Sequence, residues 1–270
     1  MKRLIAGVLL LVSCGCGDSK PAVNVVSSYR RAEVQKLVAT HQAGWDNWGG
    51  VIVFNDGNQN YPANQGNGNL FHGLLCYSGH DASCAAVIQL LRCPTGHLKR
   101  APWMPCGDES RDEYIGQSLT AIRTGSVFGL PGSYPFAVTP TWARTMQLAG
   151  FNIKGVPDSA ALLLQAKSVP ANYELHLVAL QAWIRRDKGD HTQANDLTFV
   201  ELRKRHPGNL FYDYLRSGAT NDIIDKFLAQ MPPEPVQYQA QWTWQDPASV
   251  YGYTRIHSAA IVFLGNLLMR

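Results

Sequence analysis

The sequence predicts an all-α fold in which antiparallel helical hairpins form a ring or a partial ring. Apolar residues recur at helical spacing in about nine or ten segments, and an alternating strand pattern is almost absent. Short loops rich in Gly and Pro separate these segments, which favours antiparallel neighbours. The segments follow no fixed repeat period, so a regular solenoid is not expected.

The individual helices are predicted from apolar spacing together with start and stop signals. In the first segment, residues 28–42, the positions Val34, Leu37, Val38 and His41 form one face. A Gly- and Asn-rich stretch follows, in which residues 51–54 read as an isolated strand or as loop. The pattern is helical again from Leu70 onward. Further helices are predicted over residues 82–91, 110–124, 159–167, 171–187, 193–206, 209–216, 220–230 and 254–269.

Local capping signals support several of these helices. Ser110 and Glu113 fit a capping box, in which each side chain accepts a hydrogen bond from the backbone of the other residue. The helix that they open is expected to stop at Gly125. Asp81 is predicted to cap the helix over residues 82–91.

Length and composition indicate one domain and exclude some classes of partner. The chain has 270 residues, of which 46% are hydrophobic, and seven are tryptophan, enough for one substantial core. Its net charge is +4, and no dense run of Lys and Arg indicates nucleic-acid binding. We predict a signal peptide over residues 1–13, a tether over 14–26 and a single helical domain over 27–270.

The N-terminus predicts export. Two positive charges precede an apolar run over residues 4–12, which fits a secretory signal peptide and is too short to span a bilayer. The tetrapeptide Leu11-Val12-Ser13-Cys14 resembles the lipobox of bacterial lipoproteins. This resemblance implies cleavage before Cys14, acylation of its thiol with palmitate, and anchoring to a lipid membrane. Gly15 at the next position favours the outer membrane, and an ordinary cleaved signal peptide or acylation of Cys16 is the alternative.

Four further cysteines lie within a short window of the chain and are expected to form two disulfides. They are Cys76, Cys84, Cys93 and Cys106, and their spacing lacks the pairs typical of zinc sites. In an oxidising periplasm such an even cluster favours disulfides. Three pairings are open, and we favour Cys76–Cys84 with Cys93–Cys106 because both loops are short. No local spacing predicts a metal site, and no cofactor is expected, because the sequence contains no phosphate-binding loop.

Several motifs resemble segments of bacterial α/α-toroid proteins, in the order found in a group of uncharacterised exported proteins. A resemblance over most of the chain implies the toroid fold. The tripeptide Ser-Arg-Asp also recurs in glycan-active toroid enzymes such as unsaturated glucuronyl hydrolases. The motifs are Asn69-Leu70-Phe71-His72-Gly73-Leu74-Leu75-Cys76, Ser110-Arg111-Asp112-Glu113-Tyr114-Ile115-Gly116, Tyr173-Glu174-Leu175-His176-Leu177-Val178-Ala179 and Gln241-Trp242-Thr243-Trp244-Gln245.

The candidate catalytic residues are Asp112, Arg111 and Asp46. Asp112 suits the positive end of a helix dipole, whereas Arg111 beside it does not, so another group is expected to accept the charge of Arg111. In a catalytic interpretation Asp112 is the acid or base, Asp46 is the partner carboxylate, and Arg111 positions Asp112 or a substrate hydroxyl. In the alternative interpretation Arg111 forms a salt bridge to a loop and Asp46 is a cap.

The candidate substrate-binding residues are mostly aromatic, because aromatic rings stack on sugars and also fill the centre of a helical ring. They are Trp45, His72, Trp242, Trp244 and Asp246. Two functions follow from these patterns. The favoured hypothesis is a lipid-anchored envelope protein that binds a glycan or an envelope partner in an aromatic-lined cleft. The alternative is a glycan-active hydrolase or lyase that uses Asp112 with a second carboxylate.

Overall fold

The computed structural model describes residues 26–44, 47–48, 51–52, 68–107, 109–130, 134, 136, 138–151, 153, 172–192, 200, 203–204, 207–235 and 258–270. Within these ranges the regular secondary structure is helical apart from one pair of two-residue strands, which confirms the predicted all-α class. The strands β1 (Asn47–Trp48) and β2 (Val51–Ile52) pair in antiparallel. The helices are α1 (Ser28–Ala43), α2 (Gly68–Ser78), α3 (Asp81–Gln89), α4 (Arg111–Thr124), α5 (Pro140–Leu148), α6 (Asn172–Asp187), α7 (Leu210–Ser217), α8 (Asn221–Gln230) and α9 (Ser258–Met269).

Most helix ends lie where the sequence predicts them, because local side chains satisfy the free backbone groups. Ser110 and Glu113 form the predicted capping box, and Gly125 ends α4 in the left-handed conformation. The Asp81 prediction is wrong in detail, because His80 is the cap and accepts from the backbone N–H of Ser83. Asp81 is instead the first helical residue, where its carboxylate suits the helix dipole.

Helix α5 was not predicted from the apolar pattern. It carries only a few large apolar side chains, among them the buried Trp142 and Met146. The missed signal is local. Thr139 caps the helix by accepting from the backbone N–H of Trp142, and Pro140 occupies the first turn, where its fixed φ suits a helix.

Helices α2 and α4 cross with almost no space between their backbones. A Cβ on Gly73 would lie 2.3 Å from the Cα of Gly116, and a Cβ on Gly116 would lie 2.1 Å from the carbonyl oxygen of Asn69. Any side chain larger than hydrogen at either position would push the helices apart. The two glycines therefore set the distance at which α4 passes α2.

Two disulfides brace this part of the chain. Cys76 pairs with Cys84 at a Cα–Cα distance of 4.6 Å, and Cys93 pairs with Cys106 at 6.1 Å. The favoured pairing is thus confirmed. The first bridge joins α2 to α3, and the second closes the irregular segment between α3 and α4.

The second half of the core is built from aromatic rings. Trp183 of α6 lies with its ring centroid 5.6 Å from that of Phe211 in α7 and 5.3 Å from that of Phe263 in α9. Its centroid is also 4.4 Å from that of Tyr77, at the end of α2. The tilted and edge-to-face geometries are those that aromatic quadrupoles favour.

The first and last described helices pack against each other. Gly265 of α9 leaves room for Val38 of α1, whose methyl group lies 2.3 Å from where a glycine Cβ would be. His41, predicted on the buried face of α1, lies with Nδ1 2.9 Å from the hydroxyl of Ser258, and its Nε2 donates to the carbonyl of Pro232 at 2.9 Å. None of the helices in the described ranges combines the length and apolar character needed to cross a membrane.

Candidate functional site

Besides the four disulfide cysteines, three of the predicted site residues lie in described parts of the chain: His72, Arg111 and Asp112. The others lie outside the described residues. They are Cys14, Trp45, Asp46, Trp242, Trp244 and Asp246.

Asp112 lies in the first turn of α4, and only 7% of the residue is exposed. Its backbone N–H donates to the hydroxyl of Ser110 at 3.3 Å. The carbonyl of Arg111 accepts from the indole N–H of Trp142 at 3.0 Å, which fixes the start of α4 against α5. The acid–base role of Asp112 and the positioning role of Arg111 stay predictions.

His72 is 2% exposed and lies inside the helical core. Its Nδ1 is 3.0 Å from the hydroxyl of Ser83, and the same hydroxyl is 2.8 Å from Nδ1 of His80. These contacts join α2 to α3 beside the first disulfide. The surroundings fit a structural histidine, and the substrate-binding role of His72 stays a prediction.

An open cavity of about 400 Å³ lies elsewhere, between residues 92–98 and residues 128–130. We call it the hairpin cavity. Its apolar walls include Phe128 and Leu130, and its polar lining includes Arg92, Thr95 and His97. A volume of this size is typical of small-ligand sites, and polar and apolar groups contribute to this lining in similar amounts.

A tight hairpin forms one side of the cavity. The backbone N–H of Gly96 donates to the carbonyl of Cys93 at 3.1 Å, and that of Cys93 donates to His97 at 2.9 Å. Gly96 has a φ of +86°, which an L side chain rarely adopts. Pro94 follows Cys93, a position at which its fixed φ favours a turn. The Cys93-Pro-Thr-Gly sequence is therefore the local reason for the hairpin.

Arg92 lies in the cavity wall and is held by neutral groups. Its Nε donates to the side-chain oxygen of Gln117 at 2.6 Å, and its terminal nitrogens donate to the carbonyl of Val127 at 3.3 Å and the hydroxyl of Ser126 at 3.2 Å. The guanidinium carbon is 5.2 Å from the ring centroid of Phe128. Among the described residues no carboxylate pairs with Arg92, and burial lowers the pKa of its guanidinium.

Two buried amides hold Arg92 and the hairpin in place. The side-chain nitrogen of Gln117 donates to the amide oxygen of Asn69 at 3.3 Å. The side-chain nitrogen of Asn69 lies 3.2 Å from the carbonyl of Leu91 and 3.3 Å from that of Lys99, one in each arm of the hairpin. Both arms are thus bonded to α2, and Arg92 is bonded through Gln117 to α4.

His97 is oriented by a buried carboxylate. Its Nδ1 lies 2.5 Å from Oε1 of Glu109, and the hydroxyl of Tyr114 donates to the same oxygen at 2.9 Å. Because this carboxylate oxygen also accepts from Tyr114, the Nδ1 of His97 is read as the donor to it, and Nε2 remains for a ligand. Burial, followed by the hydrogen bond to Glu109, raises the pKa of Tyr114.

Glu109 has one oxygen that is bonded twice and one that is not bonded. Its Oε2 is buried and has no hydrogen-bond partner within the described ranges. Buried carboxylate oxygens are usually paired, so an unbonded one is uncommon. The His97–Glu109–Tyr114 chain fixes the orientation of the His97 ring through its Nδ1.

The sequence analysis missed Arg92, His97 and Glu109. Two signals were present, namely the Cys-Pro-Thr-Gly-His turn that ends at His97 and the position of Glu109 directly before the capping box. In the described ranges no group of three or more His, Cys, Asp or Glu is arranged to hold a metal ion.

Comparison with protein-family models, with curated proteins and with solved structures finds no match to this chain.

Proposed function

We propose that this protein is an exported, lipid-anchored bacterial envelope protein that binds a glycan in the hairpin cavity. The observation that carries the proposal is the cavity itself, about 400 Å³ in volume and lined by polar and apolar groups in similar amounts, as a sugar with its hydroxyl groups and apolar ring faces requires. Phe128 and Leu130 offer apolar contacts, while Arg92, Thr95 and His97 offer hydrogen bonds to hydroxyl groups.

A ring or partial toroid of helical hairpins is the architecture that we propose for the body. It is supported by the packing of α1 against α9, since His41 and Ser258 are in contact although 217 residues separate them. The motifs that resemble α/α-toroid proteins support the same arrangement.

The localisation of the protein is proposed from its N-terminus and its disulfides. Acylation of Cys14 would anchor the chain to a membrane, with the outer membrane favoured. Two disulfides suit an oxidising compartment such as the periplasm. Replacing Cys14 by Ser should abolish labelling by radioactive palmitate and release the protein from the membrane fraction. Cys16→Ser is the matched control, and loss of label in that variant alone would place the lipid on Cys16.

Glycan binding is tested with the full-length protein in detergent micelles and a panel of envelope oligosaccharides, by isothermal titration calorimetry. Gly129 lines the cavity, and no heavy atom lies within 4 Å of where its Cβ would be, so Gly129→Trp should fill the cavity without disturbing the core. We expect affinity to fall at least tenfold. Val138→Trp, at an exposed position outside the lining, is the control.

The proposal fails if no oligosaccharide binds, or if Gly129→Trp binds as tightly as the unmodified protein. If the unmodified protein captures an envelope protein and Gly129→Trp does not, the cavity binds a protein partner and not a glycan.

A second candidate function is acid–base catalysis on the bound glycan, and the pairing of His97 with Glu109 favours it. A buried carboxylate that orients an imidazole is a common arrangement for a general base. The sequence-based version of this hypothesis used Asp112 with Asp46 or another carboxylate. If a glycan is turned over, His97→Gln should lower the rate about 100-fold or more, whereas Asp112→Asn should leave it unchanged. The reverse result would assign the reaction to Asp112.

A further inference from the structure

We infer that the hairpin cavity selects ligands that carry an oxyanion, a carboxylate or a phosphate, and that Arg92 binds this group. The inference rests on the proposed function and names the chemical class of its ligand. It follows from the charge of the lining, the bonding of Arg92 and the orientation of His97.

The lining of the hairpin cavity has a one-sided charge. Among the described residues that line it, Arg92 and His97 are the only ionisable side chains, because Cys93 is in a disulfide. No Asp or Glu of the described ranges contributes to this lining. Glu109 lies outside it, and its bonded oxygen already accepts from His97 and Tyr114. An anion entering the cavity would therefore meet a cation, and no carboxylate of the described lining would face it.

Arg92 has an uncompensated charge. The guanidinium is partly buried, and its three hydrogen bonds go to an amide oxygen, a backbone carbonyl and a hydroxyl. Partial burial of a charge is costly unless an opposite charge is near, and within the described ranges no carboxylate supplies one. An arginine has five N–H donors, so one remains on each terminal nitrogen for a ligand.

Arg92 is also held in position before a ligand arrives. Gln117 fixes its Nε, Asn69 fixes Gln117, and the ring of Phe128 lies against the guanidinium. A cation that is already fixed loses little side-chain entropy when it binds. The planar guanidinium matches both carboxylate and phosphate oxygens, which is why the inference names their shared chemistry.

His97 adds a second polar contact to the same cavity. With its Nδ1 directed to Glu109, the ring leaves Nε2 for a hydroxyl of the ligand, which can both donate and accept a hydrogen bond. A ligand that places an oxyanion at Arg92 and a hydroxyl group at His97 has the chemistry of an acidic or phosphorylated sugar. A neutral sugar would leave the charge of Arg92 without a partner.

The test compares ligands that differ only in charge, measured by calorimetry on the full-length protein in detergent. One pair is trigalacturonate and its methyl ester, and the other is glucose 6-phosphate and glucose. We expect at least one charged member to bind at least tenfold more tightly than its neutral partner and to weaken as NaCl is raised. Preference confined to the first pair identifies a carboxylate, and preference confined to the second identifies a phosphate.

Variants of Arg92 assign the preference to this side chain. Arg92→Gln should abolish the difference within each pair, and Arg92→Lys should retain part of it. Arg144→Gln is the control, since Arg144 also bonds a neutral side chain, that of Gln147, but lies outside the cavity. If Arg92→Gln does not fold, the charged and neutral ligands still decide the matter on the unmodified protein.

The outcomes separate this inference from the proposed function. Equal affinity for charged and neutral members, with binding lost in Gly129→Trp, overturns the inference and leaves glycan binding intact. The same holds if a folded Arg92→Gln keeps the preference. Absence of binding by every sugar and oligosaccharide overturns both.

Discussion

Two regions of this protein are stabilised in different ways. The disulfide region, residues 68–130, contains both disulfides, two glycines at a helix crossing and a buried network of amides. The aromatic region consists of α6, α7 and α9, and its core is the cluster of Trp183, Phe211 and Phe263. No disulfide is found among the described residues of the aromatic region.

The difference follows from the backbone that each region must hold. In the aromatic region the helices satisfy their own backbone groups, so shape and apolar area suffice to pack them. The disulfide region includes the irregular segment between α3 and α4, whose backbone is bonded to itself only at the hairpin and at single turns. Directed bonds from Asn69, Gln117 and Cys106 add to these few bonds. The hairpin cavity lies in this region, between the hairpin and residues 128–130.

The largest expected effect comes from the aromatic region. Trp183 is 0% exposed, so Trp183→Ala should lower the free energy of unfolding by about 3–5 kcal/mol. Trp183→Phe should cost about 2 kcal/mol or less, because the indole N–H has no hydrogen-bond partner among the described residues to lose. Urea denaturation followed by circular dichroism measures both. Equal costs for the two variants would show that the indole N–H, and not the ring volume, stabilises this core.

Breaking the second disulfide should cost slightly less stability and should also affect the cavity. Cys93 and Cys106 are 13 residues apart, so their joint replacement by Ser should cost about 3 kcal/mol. Cys76→Ser with Cys84→Ser, at a separation of 8, is the control. We expect both pairs to lower stability and only the first to weaken ligand binding at the hairpin. Unchanged binding in the first pair would mean that the amide network alone holds the hairpin.

Gly116→Ala tests the close contact between α2 and α4, and its expected effect on stability is smaller. Ala favours a helix over Gly by about 1 kcal/mol, yet the new methyl group would meet the backbone of α2. We expect a net loss of about 2 kcal/mol. Gly129→Ala is the control, because its Cβ would meet no heavy atom within 4 Å and its φ lies outside the left-handed region. A stabilised Gly116→Ala would show that α2 and α4 separate easily.

The smallest effect concerns the pH dependence of stability. Burial raises the pKa of Glu113, although Arg100 and the bonds from Ser110 oppose the shift. As pH rises above the ordinary value of 4.5, the unfolded chain loses this proton before the folded chain does. The contribution of Glu113 to stability therefore falls with rising pH, until the folded pKa is passed.

Glu113→Gln should remove this slope while keeping an acceptor for the backbone N–H and the hydroxyl of Ser110. Glu113→Ala should lose the cap as well, at a cost of about 1 kcal/mol. Thermal unfolding at a series of pH values distinguishes the two. An unchanged slope in Glu113→Gln would assign the pH dependence to another group.

Local features could be predicted from the sequence because they depend on neighbouring residues. The capping box at Ser110 and the stop at Gly125 involve atoms a few residues apart. The disulfide pairing was also predicted correctly, since short loops keep the partners close. Helix α5 was missed because its apolar residues are too few to form a clear helical pattern. Its local start signal, Thr139 followed by Pro140, was given less weight than that pattern.

The candidate site could not be predicted in the same way, because its parts are distant in the sequence. Arg92 is placed by Gln117 and lies against Phe128, and neither contact follows from any spacing. His97 lies inside the loop that the second disulfide closes and is oriented by Glu109, which lies just beyond that loop. The motif that was chosen instead, around Asp112, draws attention through its charges, and the structure accounts for part of it as a helix start.

The sequence by itself determined the helical class, the positions of most helix ends and the two disulfides, because backbone capping and short-range loop closure act over a few residues. It also predicts an export signal and acylation at Cys14, which stay predictions. Only the tertiary structure decided that α2 and α4 cross at two glycines and that Arg92 lines a cavity without a carboxylate partner in the described chain. These depend on packing between distant segments, where the burial of a charge is set by every element around it.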